Sequence, residues 1–335
     1  RNIIINGDMS IAQRGTSATG LGNGDNGYHT CDRWEFRESG SPTWEFTQTQ
    51  STDVPTGQGF AKSLKMDCTT ADTSLASNDL CRIQQSFEGQ NLQYLKYGTS
   101  SAQSTTISFW VKSNKTGNYN VSLYNTDQVR IIGNTYTINS ADTWEKKTIT
   151  FAGDTAGAFD NDNNSSLSIW WGLLGGTDRV GGDSSSWGAS ADNKNVAGQT
   201  VNLADSTSNE WYITGVQLEA GTTASDFEFL PLDVNRDRCQ RYYFQLQPTY
   251  FVVGRWDTGS GTPLGQFEFL KEMRAAPTFS TTGTFSTGSG YAGTPSAGNI
   301  KTKNCYLGGA DSIGADQIRY VHAGSDGLIK LNAEL

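Results

Sequence analysis

Trp211-Tyr-Ile-Thr-Gly-Val-Gln-Leu-Glu219 carries the fold class in its alternation. Trp211 and Ile213 share one phase of a period-two pattern, Val216 and Leu218 share the other, and Gly215 stands at the change. Successive side chains of a strand point to opposite faces, so a phase change inside one apolar run needs an extra residue in the ladder. Glycine is well suited to that place. The stretch therefore reads as an antiparallel strand with a β-bulge at Gly215.

The same alternation recurs along the chain. SLKMDC puts Leu64, Met66 and Cys68 on one face, TISFWVKS does so with Ile107, Phe109 and Val111, and NVSLYN with Val121 and Leu123. WEFTQTQ from Trp44, KKTITF ending at Phe151 and LSIWWGL from Leu167 are further strands by this criterion. Composition agrees: 38 Gly against 7 Pro, with 9 Trp, 13 Tyr and 15 Phe beside 3 Met, suits many short strands joined by tight turns and does not suit a helical bundle.

One segment has another character. In LPLDVNRDRCQRYYF, Pro231 precedes Val234, Arg238 and Tyr242 at helical spacing, which predicts a short helix leading into a strand at Tyr242 and Tyr243. This divides the chain into a domain over 1–230, a helical connector over 231–243 and a smaller β domain over 244–335. In the last, TYFVVGRW, QFEFLKEM, IRYVHAG and LIKLNAEL read as strands, and the Gly, Ser and Thr-rich residues 279–299 read as a loop or loose hairpin.

A net charge of -9 with no basic run argues against a nucleic-acid partner, because phosphate binding needs clustered Lys and Arg. No stretch approaches the roughly 18 apolar residues of a membrane helix, so a soluble chain without membrane insertion is expected. The start at Arg1 is expected of a trimmed chain, and no secretion signal is read in it. Five widely spaced cysteines read as free buried thiols, as in a protein folded in a reducing cytoplasm.

Catalytic and metal motifs are weak. GLGNGDNG from Gly20 is followed by no helix and reads as a surface loop rather than a phosphate cradle. DNDNNS from Asp160 begins like a calcium loop, but Ser165 takes the glycine position and Trp171 that of the bidentate glutamate; Asp160 and Asp162 remain candidates for a looser site. His29 and His322 are the only histidines, and no G-x-S-x-G elbow supports a triad. No carboxylate pair stands out, so the chain is expected to be no enzyme and to need no cofactor. The tryptophans are more informative: Trp110 and Trp170 are out of phase with the aliphatic residues of their strands, and Trp187 sits in a Gly and Ser-rich stretch. They are candidates for stacking on a sugar ring or for packing against another domain or subunit.

Four segments carry a family likeness. NIIINGDMSIAQRGTS followed by CDRW, then WYITGVQLEAGTTASDFEF, then CQRYY, and finally MRAAPTF with the terminal NAEL together resemble bacteriophage tail-fibre or appendage proteins. The resemblance implies a jelly-roll sandwich akin to carbohydrate-binding modules followed by a small β module, often trimeric on the virion. NIIIN would be its first strand, with the Gly7 turn sending the chain to the other sheet, and a structural calcium near that strand would make Asp8 a further candidate. It implies a non-enzymatic protein made in the bacterial cytoplasm and acting outside it, contacting other virion proteins, its own copies and a host-surface polysaccharide. A head-decoration, cement or head-fibre protein and a polysaccharide depolymerase are the alternatives. Asn- and Asp-rich insertions at 153–166 and 175–200 depart from the usual pattern, and loops of this kind set specificity.

Overall fold

The computed structural model describes residues 2–247, 251–256, 264–286, 293–308 and 317–335. They divide into two units, one running to Asn235 and the other Arg236–Glu334.

In the first unit the chain forms β1 (Ser17–Leu21), β2 (Gly27–Tyr28), β3 (Glu35–Ser39), β4 (Glu45–Ser51), β5 (Ser63–Thr70), β6 (Leu80–Glu88) and β7 (Thr105–Ser113). It continues through β8 (Gly117–Asn125), β9 (Arg130–Ile138), β10 (Glu145–Phe151), β11 (Ser165–Gly175), the four-residue helix α1 (Thr177–Val180), β12 (Gly188–Ala189) and β13 (Glu210–Ala220). Two antiparallel sheets result: six strands in the order β1-β4-β5-β13-β7-β10, and seven in the order β12-β9-β8-β11-β6-β3-β2. The chain crosses between them after β1, β3, β5, β6, β7, β9, β10 and β12, which is jelly-roll winding.

The inward phase of both sheets supplies one core. Phe46, Met66, Phe109, Val111 and Ile213 come from the six-stranded sheet and Phe36, Ile83, Val121, Leu123, Ile169 and Trp171 from the seven-stranded one. Phe109 meets Trp171 edge to face across the sandwich, with ring centroids 5.9 Å apart. All five cysteines are buried and free.

The bulge lies where the phase change puts it. Thr214 pairs with Trp110 and Gln217 with Ser108, so Gly215 and Val216 together face the single residue Phe109. Gly215 has φ +60, and a Cβ there would meet the Phe60 ring at 2.5 Å. Freed from the ladder, the Val216 N–H donates to the Gly7 carbonyl at 2.9 Å.

The opening run corrects an expectation. Ile3, Ile4 and Ile5 belong to no strand, and Gly7 does not carry the chain across to the other sheet; it docks on the bulge, where a Cβ would lie 2.1 Å from the Val216 oxygen. One backbone bond to β13 remains, from the Ile3 N–H to the Leu218 carbonyl at 2.9 Å, and side-chain amides supply the rest: Asn2 bonds the Val216 carbonyl and the Leu218 N–H, and Gln85 bonds both backbone groups of Ile5. Asn6, at φ 58, ends the extended backbone. Its side chain bonds Ile11 and the Asp32 carbonyl, while its own carbonyl accepts from the Trp34 indole at 3.0 Å.

A helix α2 (Leu232–Gln240) follows, and the division between the two units falls inside it. Its buried residues are Asn235 and Cys239, whereas Val234 of the expected face is 43% exposed. Asn235 is selected for a polar reason: its amide bonds Asp8, Ser10 and the Asn6 N–H.

The second unit contains β14 (Tyr243–Leu246), β15 (Phe251–Trp256), β16 (Leu264–Glu268), β17 (Thr278–Thr282), β18 (Ser296–Gly298), β19 (Asn304–Gly308), β20 (Gln317–Val321) and β21 (Leu328–Asn332). They pair as β14-β21-β17, β15-β20 and β16-β19-β18 over a core that includes Phe244, Met273, Leu307, Ile329 and Leu331. The strand expected over QFEFLKEM stops at Glu268. The Gly-rich stretch is no simple loop, since its ends are β17 and β18; its residues 287–292 lie outside the described ones. Arg274 of MRAAPTF donates to the Ala333 and Glu334 carbonyls, and Ala333 donates to the Tyr242 carbonyl of CQRYY. The segments that carry the family likeness are thus latches that close each unit.

Candidate functional site on the outer face of the six-stranded sheet

The polar phase of β5, β13, β7 and β10 forms a continuous outer face. Tyr212 lies opposite Lys65 on one side and Lys112 on the other, and Trp110 opposite Thr214 and Lys146. Trp144, just before β10, meets Tyr212 edge to face at 6.1 Å. The Lys112 ammonium lies 4.3 Å from the Tyr212 ring centroid and 5.7 Å from that of Trp144, both within cation–π range.

The charges around Tyr212 pair with one another, while Lys146 beside Trp110 makes no ion pair among the described residues. Asp53, leaving β4, pairs with Lys112 and accepts from the Trp144 indole at 3.0 Å. Glu210 accepts from Lys65 at 2.5 Å and from the Tyr212 hydroxyl at 2.6 Å. Burial pushes the Asp53 carboxyl up, but the hydrogen bonds of Lys112 and Trp144 outweigh it and hold it below its ordinary value. Glu210 is held low in the same way by Lys65 and Tyr212. Burial and then Glu210 drive the Tyr212 hydroxyl well above the phenol range, so it stays a neutral donor.

Trp144 is held by Asp53, Tyr212 and Lys112, whereas Trp110 is the less engaged ring. Trp110 and Trp144 are half-buried, with part of each ring open to solvent, and no ring or cation contact involves Trp110 among the described residues. A rigid sheet carrying two such indoles beside oriented carboxylate, ammonium and hydroxyl groups can stack an apolar ring face and hydrogen-bond its polar rim.

The other expected residues stand elsewhere. Trp170, on the outer face of the seven-stranded sheet, is 6% exposed and stacked on Tyr124 with centroids 4.6 Å apart. Trp187 is pinned against the core, donating to the Ala152 carbonyl at 2.7 Å and meeting Tyr97 edge to face. Asp8 accepts from Ser10 and Asn235, Asp162 from Asn164, and the Asp160 N–H donates to Asp127. Among the described residues no three His, Cys, Asp or Glu side chains converge on a metal-sized point. In the second unit His322 Nδ1 lies 2.9 Å from Ser286 Oγ. Trp144, Asp53 and Glu210 were not foreseen, because none lies in an alternating run that marks it as outward.

No family model matches the chain, and no curated protein matches it. Solved structures with similarity include the enzymatically active domain of tailspike protein 4 of bacteriophage CBA120, at 14% identity over 65% of this chain and 21% of that one, with TM-score 0.34. The chain therefore spans about a fifth of that structure. Others are the family 11 carbohydrate-binding module of the Clostridium thermocellum cellulase Lic26A-Cel5E, at 11% identity over 62% and 97% of the two chains with TM-score 0.30. The CBM22-1 xylan-binding domain of Paenibacillus barcinonensis Xyn10C stands at 9% identity, 67% and 97% coverage and TM-score 0.30.

Proposed function

We propose that this chain is a non-enzymatic bacteriophage virion protein, of the tail-fibre or appendage type, that holds a bacterial surface glycan on the outer face of its six-stranded sheet. The observation that carries the glycan reading is the pair of half-buried indoles, Trp110 and Trp144, on one face where Lys112 and Lys65 are already paired with Asp53 and Glu210. Stacking on these indoles is the main interaction that such a face offers, and it favours a saccharide over a free ion. The virion assignment rests on the sequence resemblance. Titrating the full chain with neutral surface oligosaccharides should quench tryptophan fluorescence, and Trp110→Ala and Trp144→Ala should each weaken that binding about tenfold or more while leaving the fold intact. Binding unchanged in both variants rejects the face; release of reducing ends would favour a depolymerase.

A second reading, a head-decoration or cement protein touching only virion proteins, is favoured by the apolar run Phe229, Leu232 and Val234, exposed by 51%, 55% and 43%. Closed three-fold assembly would cover such a surface, so a homotrimer is expected, with light scattering giving about three times the 36.3 kDa chain mass. A monomer in solution rejects it.

A further inference from the structure

Arg82 of β6 sits on the outer face of the seven-stranded sheet, opposite Arg37 of β3. Its guanidinium lies 3.9 Å from the Trp170 ring centroid. Because β11 runs between β8 and β6, Tyr124 and Arg82 flank Trp170 from its two sides. The Arg82 Nε donates to Gln84 Oε1 at 2.8 Å, and among the described residues Arg82 makes no other hydrogen bond and no ion pair. The carboxylate of this network, Glu35, is taken by Gln84 at 2.7 Å and by Arg37 at 3.5 Å. Arg179 pairs with Asp192 instead. The Trp170 indole N–H is likewise buried without a partner, on a residue that is 6% exposed.

This is an unusual arrangement in a chain of net charge -9. A guanidinium presents its donors in a fixed planar fork, and leaving that fork unpaired in a partly desolvated place costs free energy. Burial, and then Arg37, press the Arg82 group down to about 10, and Glu35 offsets this only in part. Like charges facing each other across a ladder point the same way.

We infer that this corner binds the carboxylate of an acidic sugar, the terminal nitrogens of Arg82 taking both its oxygens, with Arg37 alongside. A planar carboxylate matches the fork two bonds at once, and the sugar ring that carries it finds apolar neighbours in the row from Trp170 to half-buried Tyr124. The inference takes from the proposed function only the class of ligand, a glycan; the face is a separate one.

The test is calorimetry of the full chain at about 0.15 M salt with oligogalacturonate, oligosialate, neutral oligosaccharides of equal length and inorganic phosphate. At least one acidic saccharide should bind saturably, tenfold or more tighter than phosphate or the neutral set at this site. Arg82→Gln should weaken that binding tenfold or more, and Arg82→Lys, which keeps the charge but loses the fork, should also weaken it. Lys303→Gln, at an exposed ion pair of the second unit, should leave it unchanged. Should Arg82→Gln fail to fold, Arg82→Lys decides. Absence of binding by both acidic saccharides, phosphate binding as tightly as either, or affinity unmoved by the Arg82 variants overturns the inference. Acid binding that survives when neutral saccharide binding is absent overturns the proposed function and leaves this site standing.

Discussion

The outer faces of the two sheets are inverse solutions to the same problem. On the six-stranded face the charges satisfy one another, Lys112 with Asp53 and Lys65 with Glu210, and the indoles of Trp110 and Trp144 remain partly open. On the seven-stranded face the rings satisfy one another, Trp170 against Tyr124, and a charge remains open at Arg82. Whatever a surface leaves unpaired is what it offers to a partner. The first face suits a ligand rich in C–H surface, the second a ligand that brings an anion.

Four experiments break or sharpen this contrast, taken from the largest effect down. Trp170 and Trp171 are neighbours in β11 that point to opposite faces, and Trp171 is fully buried in the core. Trp171→Ala should destabilise the unit by about 3–5 kcal/mol in denaturant unfolding, and Trp110→Ala by under about 1 kcal/mol. Equal losses would move Trp110 from the surface into the core and remove the six-stranded face as a site. Next, Gly7→Ala should lower stability by about 2 kcal/mol or more, since its Cβ meets the Val216 oxygen at 2.1 Å. A neutral outcome would mean that neither face depends on the docked opening segment.

The third concerns pH. Burial raises the Glu145 carboxyl, but Lys147 and then the Ser140 and Asn139 bonds outweigh it and bring it from an ordinary 4.5 to about 2. A depressed carboxylate contributes stability above its unfolded value and loses it as pH falls through the folded one. Thermal stability should therefore fall between about pH 4.5 and pH 2, as Asp53 and Glu210, also held low, protonate as well. Glu145→Gln should flatten that slope; an unchanged slope removes Glu145 from it. Smallest is Asp53→Asn, expected to change stability by about 0.2–1 kcal/mol and to lose its effect in high salt, because this is a partly exposed ion pair. A larger, salt-independent loss would show that charge, and not the rings, organises the six-stranded face.

Much of the sandwich was legible because alternation was clean where a strand had one dry face, as in Leu64, Met66 and Cys68 or Ile107, Phe109 and Val111. It failed where a polar side chain faces inward. In β6 the core phase is Cys81, Ile83, Gln85 and Phe87, and Gln85 hides the pattern because its amide bonds the backbone of Ile5. Arg82 was missed with that strand. Ile3–Ile5 failed in the opposite sense: apolar enough for a strand, yet tied by the neighbouring Asn2 amide to β13 and by the distant Gln85 amide at Ile5. Trp144 stands just before β10, outside the alternating run that marks that strand. Trp110 could be read as out of phase, but Thr214 and Lys146 beside it, and Asp53, Lys65 and Glu210 around Tyr212, come from separate strands and loops, and only the register brings them onto one face.

The position of β13 also sets a clock. It lies between β5 and β7, so until it arrives the six-stranded sheet exists as two fragments, β1-β4-β5 and β7-β10, with open edges where β5 and β7 await it. At the roughly 5–20 residues per second of translation, the ribosome needs on the order of 10–40 s to deliver residue 220 after the first has emerged. From the completion of β5 at Thr70, and of β7 at Ser113, until that moment the waiting edges can pair with one another across neighbouring nascent chains. The opening segment, which docks on the bulge of the same strand, is synthesised first and seated last. Yield in a bacterial host should accordingly rise on slowing initiation, which spaces the nascent chains apart, more than on slowing elongation, which lengthens the wait.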